Sequence, residues 1–296
     1  MRPSERPAWM ERPGKAGLAV KGAILLGVSL LVIYPFVGVI GTSLSAETDI
    51  AKAGGFVLLP SAPQLDAYRA IFEGGTVTRA LLVSVLVTGI GTLASLAATI
   101  GMAYGLSRRE VTGSRAILVV ALFTMLFNPG IIAGFLTVQQ LGLLNTFAAL
   151  VLPSLVSAFN LVVLRSFFMN LPNELMESAR MDGAGDLRIL VRIVLPLSKA
   201  VIAVIALFYA VAYWNAFFNA LLYLDDTEKW PLPMILRMFV LQGRTLESLG
   251  GGAEAPAPVQ AIQMAVLVVA VVPILIVYPF LQRYFTKGVL TGAIKG

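Results

Sequence analysis

Six continuous apolar runs, each about as long as the ~20-residue helix that crosses a hydrocarbon core, constrain this chain more than anything else in it. They fall at about 19–42, 80–106, 116–135, 146–168, 197–224 and 259–282. Inside a bilayer no water is present to satisfy the backbone, so only helices or a closed barrel can span. The runs lack the period-two alternation of a barrel strand, which leaves helices. With 58% hydrophobic and 13% charged residues and a mean hydropathy of +0.86, the chain reads as an all-α polytopic membrane protein with six transmembrane helices.

Basic residues orient it. With the N-terminus in the cytoplasm, the inside holds Arg2, Arg6, Arg12, Lys15 and Lys21, then Arg108, Arg109 and Arg115, then Arg165 through Lys199, then Arg283, Lys287 and Lys295. Only Lys52, Arg69, Arg79, Lys229, Arg237 and Arg244 of the 22 basic residues stay outside. The positive-inside rule therefore predicts that both termini are cytoplasmic. The net charge of +6 follows from this topology and from anionic lipid, with no nucleic acid involved. A basic start, an apolar core and the small residues of "TSLSA" also resemble a cleavable leader. Cleavage there would leave five spans with the loops on the wrong sides, so the first run is read as a retained helix.

The composition excludes much chemistry. The chain has no cysteine and no histidine, hence no disulfide, thiol nucleophile, His–Cys zinc site or imidazole acid–base group. Its carboxylates fall in loops, and none sits in mid-span where a proton relay or ion-coupling site needs one. No GxxxxGK[ST] loop is present, so no ATP site of that type is expected. The chain is not expected to be an enzyme or to bind a cofactor or metal.

Two long polar segments are placed outside. Residues 43–78 carry a Pro-rich stretch and then a short amphipathic helix from about Leu65 to Phe72. Residues 225–258 contain "PMILRMFVLQ", which suits a helix of two or three turns, and "GGGAEAPAP", which suits no regular structure. At this length a binding loop is favoured over a plain connector. Within the second span, Ala97, Gly101 and Gly105 make a small-residue stripe expected to serve close helix packing.

The cytoplasmic segment 171–196 is the most informative. After a proline, Asn173 is a candidate N-cap, and Glu174 and Glu177 occupy the first turns, where the helix dipole favours acids. Gly183 and Gly185 are expected to break this helix. Asp186 is then expected to cap a second helix, "LRILVRIV", with Arg188 and Arg192 on one face at i and i+4. Pro196 marks the start of the fifth span. The result is a helix, a glycine corner and a helix at the membrane surface. A bland interfacial loop with a Glu177–Arg180 salt bridge is the alternative from these residues alone.

The order Glu177, Ser178, Ala179, three residues, Gly183, nine residues, Ile193, one residue, Leu195, Pro196 resembles the coupling loop of ABC importer permeases. That pattern has alanine where Ser178 stands, and serine is small enough for the same packing. Asp182 and Ala184 match the sugar-importer version. "NLVVLRSFFMNLPNELMESARMDGA" and "LQRYFTKGVLTGAIKG" resemble the smaller permease of maltose-type importers. "FYAVAYWNAFFNALLYL" with "PLPMILR" is similar to permeases that import pectin-derived and alginate oligosaccharides.

The resemblance implies the type I ABC importer transmembrane fold: a cytoplasmic segment 1–18, a six-helix domain 19–282 and a cytoplasmic tail 283–296. It implies a homologous second permease, as a heterodimer, and two ATPase subunits carrying ATP and Mg. It also implies an extracytoplasmic solute-binding protein and an oligosaccharide substrate, in the inner membrane of a bacterium. Glu177, Ser178, Ala179, Arg180, Asp182, Gly183, Ala184, Ile193, Leu195 and Pro196 are the expected ATPase-coupling residues, with a further tail contact at Tyr284, Lys287, Gly288 and Lys295. Trp230, Arg237, Arg244 and Glu247 in the loop 225–258 are expected to meet the binding protein. Asn128, Asn160, Tyr209, Tyr213, Trp214, Asn215, Asn219 and Gln263 are candidates to line the path, because amides and aromatic rings suit sugars. In the maltose importer the other permease holds the sugar, and helix–helix hydrogen bonding is the competing reading of these residues. Permeases for amino acids, peptides or glycerol phosphate are the nearer alternative. A secondary transporter is more remote, since paired broken helices and buried ion-coupling carboxylates are not evident in the sequence.

Overall fold

The computed structural model describes residues 14–73, 75–108, 111–127, 129–242 and 257–292, with the backbone alone at 240–242 and 280–292. Every regular element among them is a helix. The chain divides into two compact units, Met1–Ala70 with Ala255–Val268, and Ile71–Glu254 with Val269–Gly296.

In the first unit, α1 (Lys15–Ser43) is apolar throughout and leaves Lys15 to Val37 exposed, as a helix facing lipid or another chain would. Its last turn is built differently. A side chain at Gly41 would strike the carbonyl oxygens of Val57 and Leu58, so only glycine lets the returning chain lie against the helix there. The Thr42 hydroxyl then accepts from the Val57 N–H at 2.9 Å, and Ser43 meets the Tyr68 hydroxyl at 2.8 Å. α2 (Glu47–Lys52) follows, and Asp49 accepts from both the N–H and the hydroxyl of Ser61. The short amphipathic helix expected near Leu65–Phe72 is α3 (Asp66–Glu73).

The second unit is organised around α4 (Thr76–Ser107), against which several of the later helices pack. Val87, Gly91, Ser95, Thr99 and Ala103 are buried along it at every fourth position. These side chains are mostly small, and the face forms a groove for a neighbouring helix. The stripe of Ala97, Gly101 and Gly105 is not the packed one: Ala97 and Gly101 are exposed, and a side chain at Gly101 or Gly105 would meet nothing within 4 Å. Smallness alone does not say which face a neighbour takes. Here the buried face is the one whose hydroxyls find partners.

Three of the expected continuous spans are interrupted. The third is α5 (Ser114–Leu126) and α6 (Gly130–Gln140), separated around Pro129. The fourth is α7 (Ala148–Val151), a 3-10 turn (Leu152–Ser154) containing Pro153, and α8 (Ala158–Met169), bent by 52° at the break. After α8 come α9 (Asn173–Met181) and α10 (Asp186–Ile189), the latter continued by a π turn (Leu190–Val194) and α11 (Leu195–Leu197). Pro196 offers no N–H to the carbonyl one turn back, and the wider π turn precedes it. The chain then turns by 85° into α12 (Lys199–Trp214), and α13 (Phe217–Tyr223) follows a second break. α14 (Leu232–Gln242) is the helix expected in "PMILRMFVLQ". α15 (Val259–Gly292) ends the described chain, and "GGGAEA" lies outside the described residues. Broken helices, read as absent from the apolar pattern, are therefore present. An apolar run marks what lipid or protein covers and carries no record of where the backbone ladder stops.

Candidate functional site

α9 begins one residue earlier than a cap at Asn173 requires: Pro172 is the N-cap, with no side-chain cap bond, and Asn173 is already helical. Its end is a Schellman motif. Gly183 has φ +77°, its N–H donates to Arg180 O at 3.0 Å, and the Ala184 N–H reaches back to Ala179 O at 2.9 Å. Gly183 is thus the corner expected of it. Gly185 is not: at φ −72°, ψ 163° it is extended backbone that any residue adopts. Asp186 does not cap the second helix either, since Gly185 occupies that position without a side-chain bond.

The Asp186 carboxylate is instead the pivot of a cluster. Arg108, from the end of α4, pairs with it at 2.9 Å, and Arg180 from α9 approaches at 3.8 Å. Tyr104 donates to the Asp186 carbonyl at 3.1 Å, while the Arg108 guanidinium lies over the Tyr104 ring and donates to its hydroxyl. The Arg108 side chain is only 13% exposed but that of Asp186 is 69% exposed, so the arginine end of the pair is shielded while the carboxylate end meets solvent. Arg165 on α8 adds a bond from Nε to Leu106 O at 2.9 Å. The corner is therefore braced from α4. Neither Arg108 nor Tyr104 was singled out from the sequence, because their partner lies far along the chain.

α9 itself buries nothing. Glu177, Ser178, Arg180 and Asp182 are exposed, Ala179, Ile193 and Leu195 are half-buried, and Pro196 is exposed. Met181 (89%) and Leu187 (74%) stand bare on either side of the corner. A cleft of about 220 Å³ beside the helix is lined by Glu177, Arg180, Asn173, Met176, Ser107, Arg108, Phe168 and Met169.

The candidate path residues divide. Tyr209 and Tyr213 lie one turn apart on α12 and meet Thr99 and Ser95, one turn apart on α4, at 2.7 Å each. The same two hydroxyls serve the break before α8: Tyr209 accepts from the Ser157 N–H at 2.9 Å, and Tyr213 donates to Val151 O at 3.3 Å. A side chain at Gly91 would collide with the Tyr213 ring. Trp214 is buried, and Asn215 returns its amide to Val211 O at 2.8 Å. Asn160 and Asn219, with both tyrosine rings, line a cavity of about 450 Å³ completed by Ser154, Ser157, Phe159, Phe208, Ala212 and Ala216. Gln263 lies half-buried on α15 in the first unit, and Asn128 lies outside the described residues.

The loop after α13 is partly folded in. Asn145, at φ +57°, donates from its N–H to Tyr223 O and accepts from the Asp226 N–H and from Lys229 Nζ. Asp226 accepts from the Glu228 N–H, and that bond first, then Lys229, holds its carboxyl below the usual value. Trp230, expected to face a binding protein, is 9% exposed and donates its indole N–H to Leu224 O. Burial in the chain's own fold takes an aromatic ring that is free to lie either way in an extended loop. Arg237 stacks over the Phe217 ring at 4.9 Å. Arg244, Glu247 and Lys295 lie outside the described residues, and Tyr284, Lys287 and Gly288 lie on α15.

Apolar helices long enough to cross a bilayer, joined by buried interhelical hydrogen bonds, are the build of a membrane component. The chain belongs to the family of binding-protein-dependent transport system inner membrane components, whose model matches residues 92–291. It is 47% identical over 274 residues to the polygalacturonan/rhamnogalacturonan transport system permease protein YtcP of Bacillus subtilis (strain 168), a match covering 92% of this chain and 96% of that one. It is 45% identical to Protein LplC of the same organism, covering 91% and 92%. Its fold matches, with a TM-score of 0.85 and 29% identity, a chain from a crystal structure of a bacterial ABC transporter involved in the import of the acidic polysaccharide alginate. That match covers 93% of this chain and 100% of the other. The chain is a permease component of a transport system, not itself an enzyme.

Proposed function

We propose that this chain is one permease of an ATP-driven importer for oligosaccharides, with uronate-containing fragments of the pectin or alginate kind as the substrate class. The observation that carries this reading is the near-full-length match to a permease named for polygalacturonan and rhamnogalacturonan. The fold match to a chain of an alginate importer supports it. The chain crosses the membrane six times, through α1, α4, α5 with α6, α7 with α8, α12 with α13, and α15, with both termini in the cytoplasm. Residues 1–18 and 283–296 flank a permease domain of 19–282. A second, homologous permease completes the path, and a solute-binding protein delivers the sugar outside, with the loop 225–258 on that side.

Two ATPase subunits carry ATP and Mg beneath the pair, and the helix bearing Glu177, Ser178, Ala179, Arg180 and Asp182 docks on one of them. The exposed apolar ends at Met181 and Leu187 and the lack of buried residues on α9 support that docking. Closure of the ATPases pushes α9. Gly183 keeps the angle, and the Asp186–Arg108 pair passes the displacement to α4, around which the second unit is built. This is rigid-body rocking driven by work done in another chain.

The test is uptake and ATP hydrolysis by the complete reconstituted importer with Gly183→Pro. Proline fixes φ near −65° and removes the N–H that bonds Arg180 O, so the corner cannot form. Loss of substrate-stimulated hydrolysis and uptake in an assembled complex is the expected result. A fully coupled variant would remove α9 and its corner from the mechanism.

A further inference from the structure

The cavity at the break before α8 has a polar inventory that packing does not consume. Asn160 is 4% exposed, it lines the cavity, and its side-chain amide has no hydrogen-bond partner among the described residues. Its amide atoms are not among the fully buried unpaired ones, so they keep access to the cavity, where water or a ligand can meet them. Asn219 is half-buried on the same wall and is likewise without a partner among the described residues.

The tyrosines differ. Their hydroxyls are committed to Ser95, Thr99, Val151 and Ser157, so they hold the wall and leave recognition to the two amides. The Phe159 and Phe208 rings stand 6.2 Å apart at 47° on the cavity's apolar side. Non-helical backbone at membrane depth is tolerated where it lines a wet or ligand-filled space, and the break at 155–157 does so. A volume of about 450 Å³ lies within the range of small-molecule sites and holds about one or two sugar rings.

We propose that this cavity is a saccharide subsite on this subunit, holding one sugar unit by its hydroxyls on Asn160 and Asn219 and by its C–H face on Phe159 and Phe208. It rests on the carbohydrate reading above and goes beyond it, since the maltose-type resemblance assigns the sugar to the other permease. The chemistry is also specific. Among the described residues no charged group lines the cavity, so a uronate carboxylate receives no countercharge from them, and the subsite reads hydroxyls and ring face while leaving the acidic group to other parts of the path.

The experiment uses the whole importer in proteoliposomes with loaded binding protein, offered galacturonate oligomers and their methyl esters. Asn160→Leu, of similar volume, is expected to lower uptake of both by about fivefold or more in a complex that still assembles. Asn219→Lys places a cation at the half-buried wall and is expected to raise the acid-to-ester uptake ratio at least fivefold over wild type, a gain that misfolding does not produce. Wild-type uptake by Asn160→Leu, or an unchanged ratio in Asn219→Lys, overturns the subsite while leaving the carbohydrate reading intact. A wild-type importer that takes up neither oligomer fails the carbohydrate reading and the subsite with it.

Discussion

Two hydroxyls on α12 do what no backbone group can do at the break before α8. When a helix is interrupted in a bilayer, its freed N–H and C=O groups must find partners inside the protein. Ser157 N–H and Val151 C=O find Tyr209 and Tyr213. Tyr209→Phe keeps the ring and removes the acceptor, so it is expected to cost about 1 kcal/mol. Thermal unfolding of the purified permease pair checks it, and an unchanged midpoint would mean that water or relaxation replaces the bond. Both tyrosines are visible in the sequence as polar groups in an apolar run. Their use is not, because the α4 partners lie 110 and 118 positions away. Asn160 and Asn219 are legible in the same sense, as amides that a span does not otherwise need.

Among the elements, the segment 171–196 is the one whose local sequence carries most of its shape. A helix that ends in a Schellman motif needs only the last turn and one glycine, all within reach of a pattern. The two glycines separate cleanly: Gly183→Ala places a side chain at φ +77° and is expected to cost about 1 kcal/mol, whereas Gly185→Ala changes little. Hydrogen exchange at Asp182–Ala184 reads this directly, with roughly fivefold faster exchange expected for Gly183→Ala alone. Equal effects would mean that the corner is held by the Asp186 cluster and not by backbone geometry. That cluster was not legible, since Arg108 meets Asp186 only once α4 and α10 are in place. The packed face of α4 was misread for the same reason. Gly91, Ser95 and Thr99 are buried because the α12 tyrosines lie on them.

At the scale of the whole molecule, the absence of cysteine makes the proposed topology directly measurable. Leu59 is 86% exposed in the segment proposed to lie outside, and Met181 is 89% exposed on the segment proposed to lie inside. Leu59→Cys is expected to react with an impermeant maleimide added to intact spheroplasts. Met181→Cys is expected to react only in inverted vesicles, and to be shielded there by added ATPase. The reverse pattern would turn the permease over. Length and hydropathy determined by themselves that this chain is helical and membrane-bound, because bilayer thickness acts on each segment separately. One spaced pattern determined its class. Only the tertiary structure decided where the spans break, which face of α4 is packed, which hydroxyls are consumed and which amides remain free. Each of these depends on a partner brought near by folding, and hydrogen-bond satisfaction is a property of pairs.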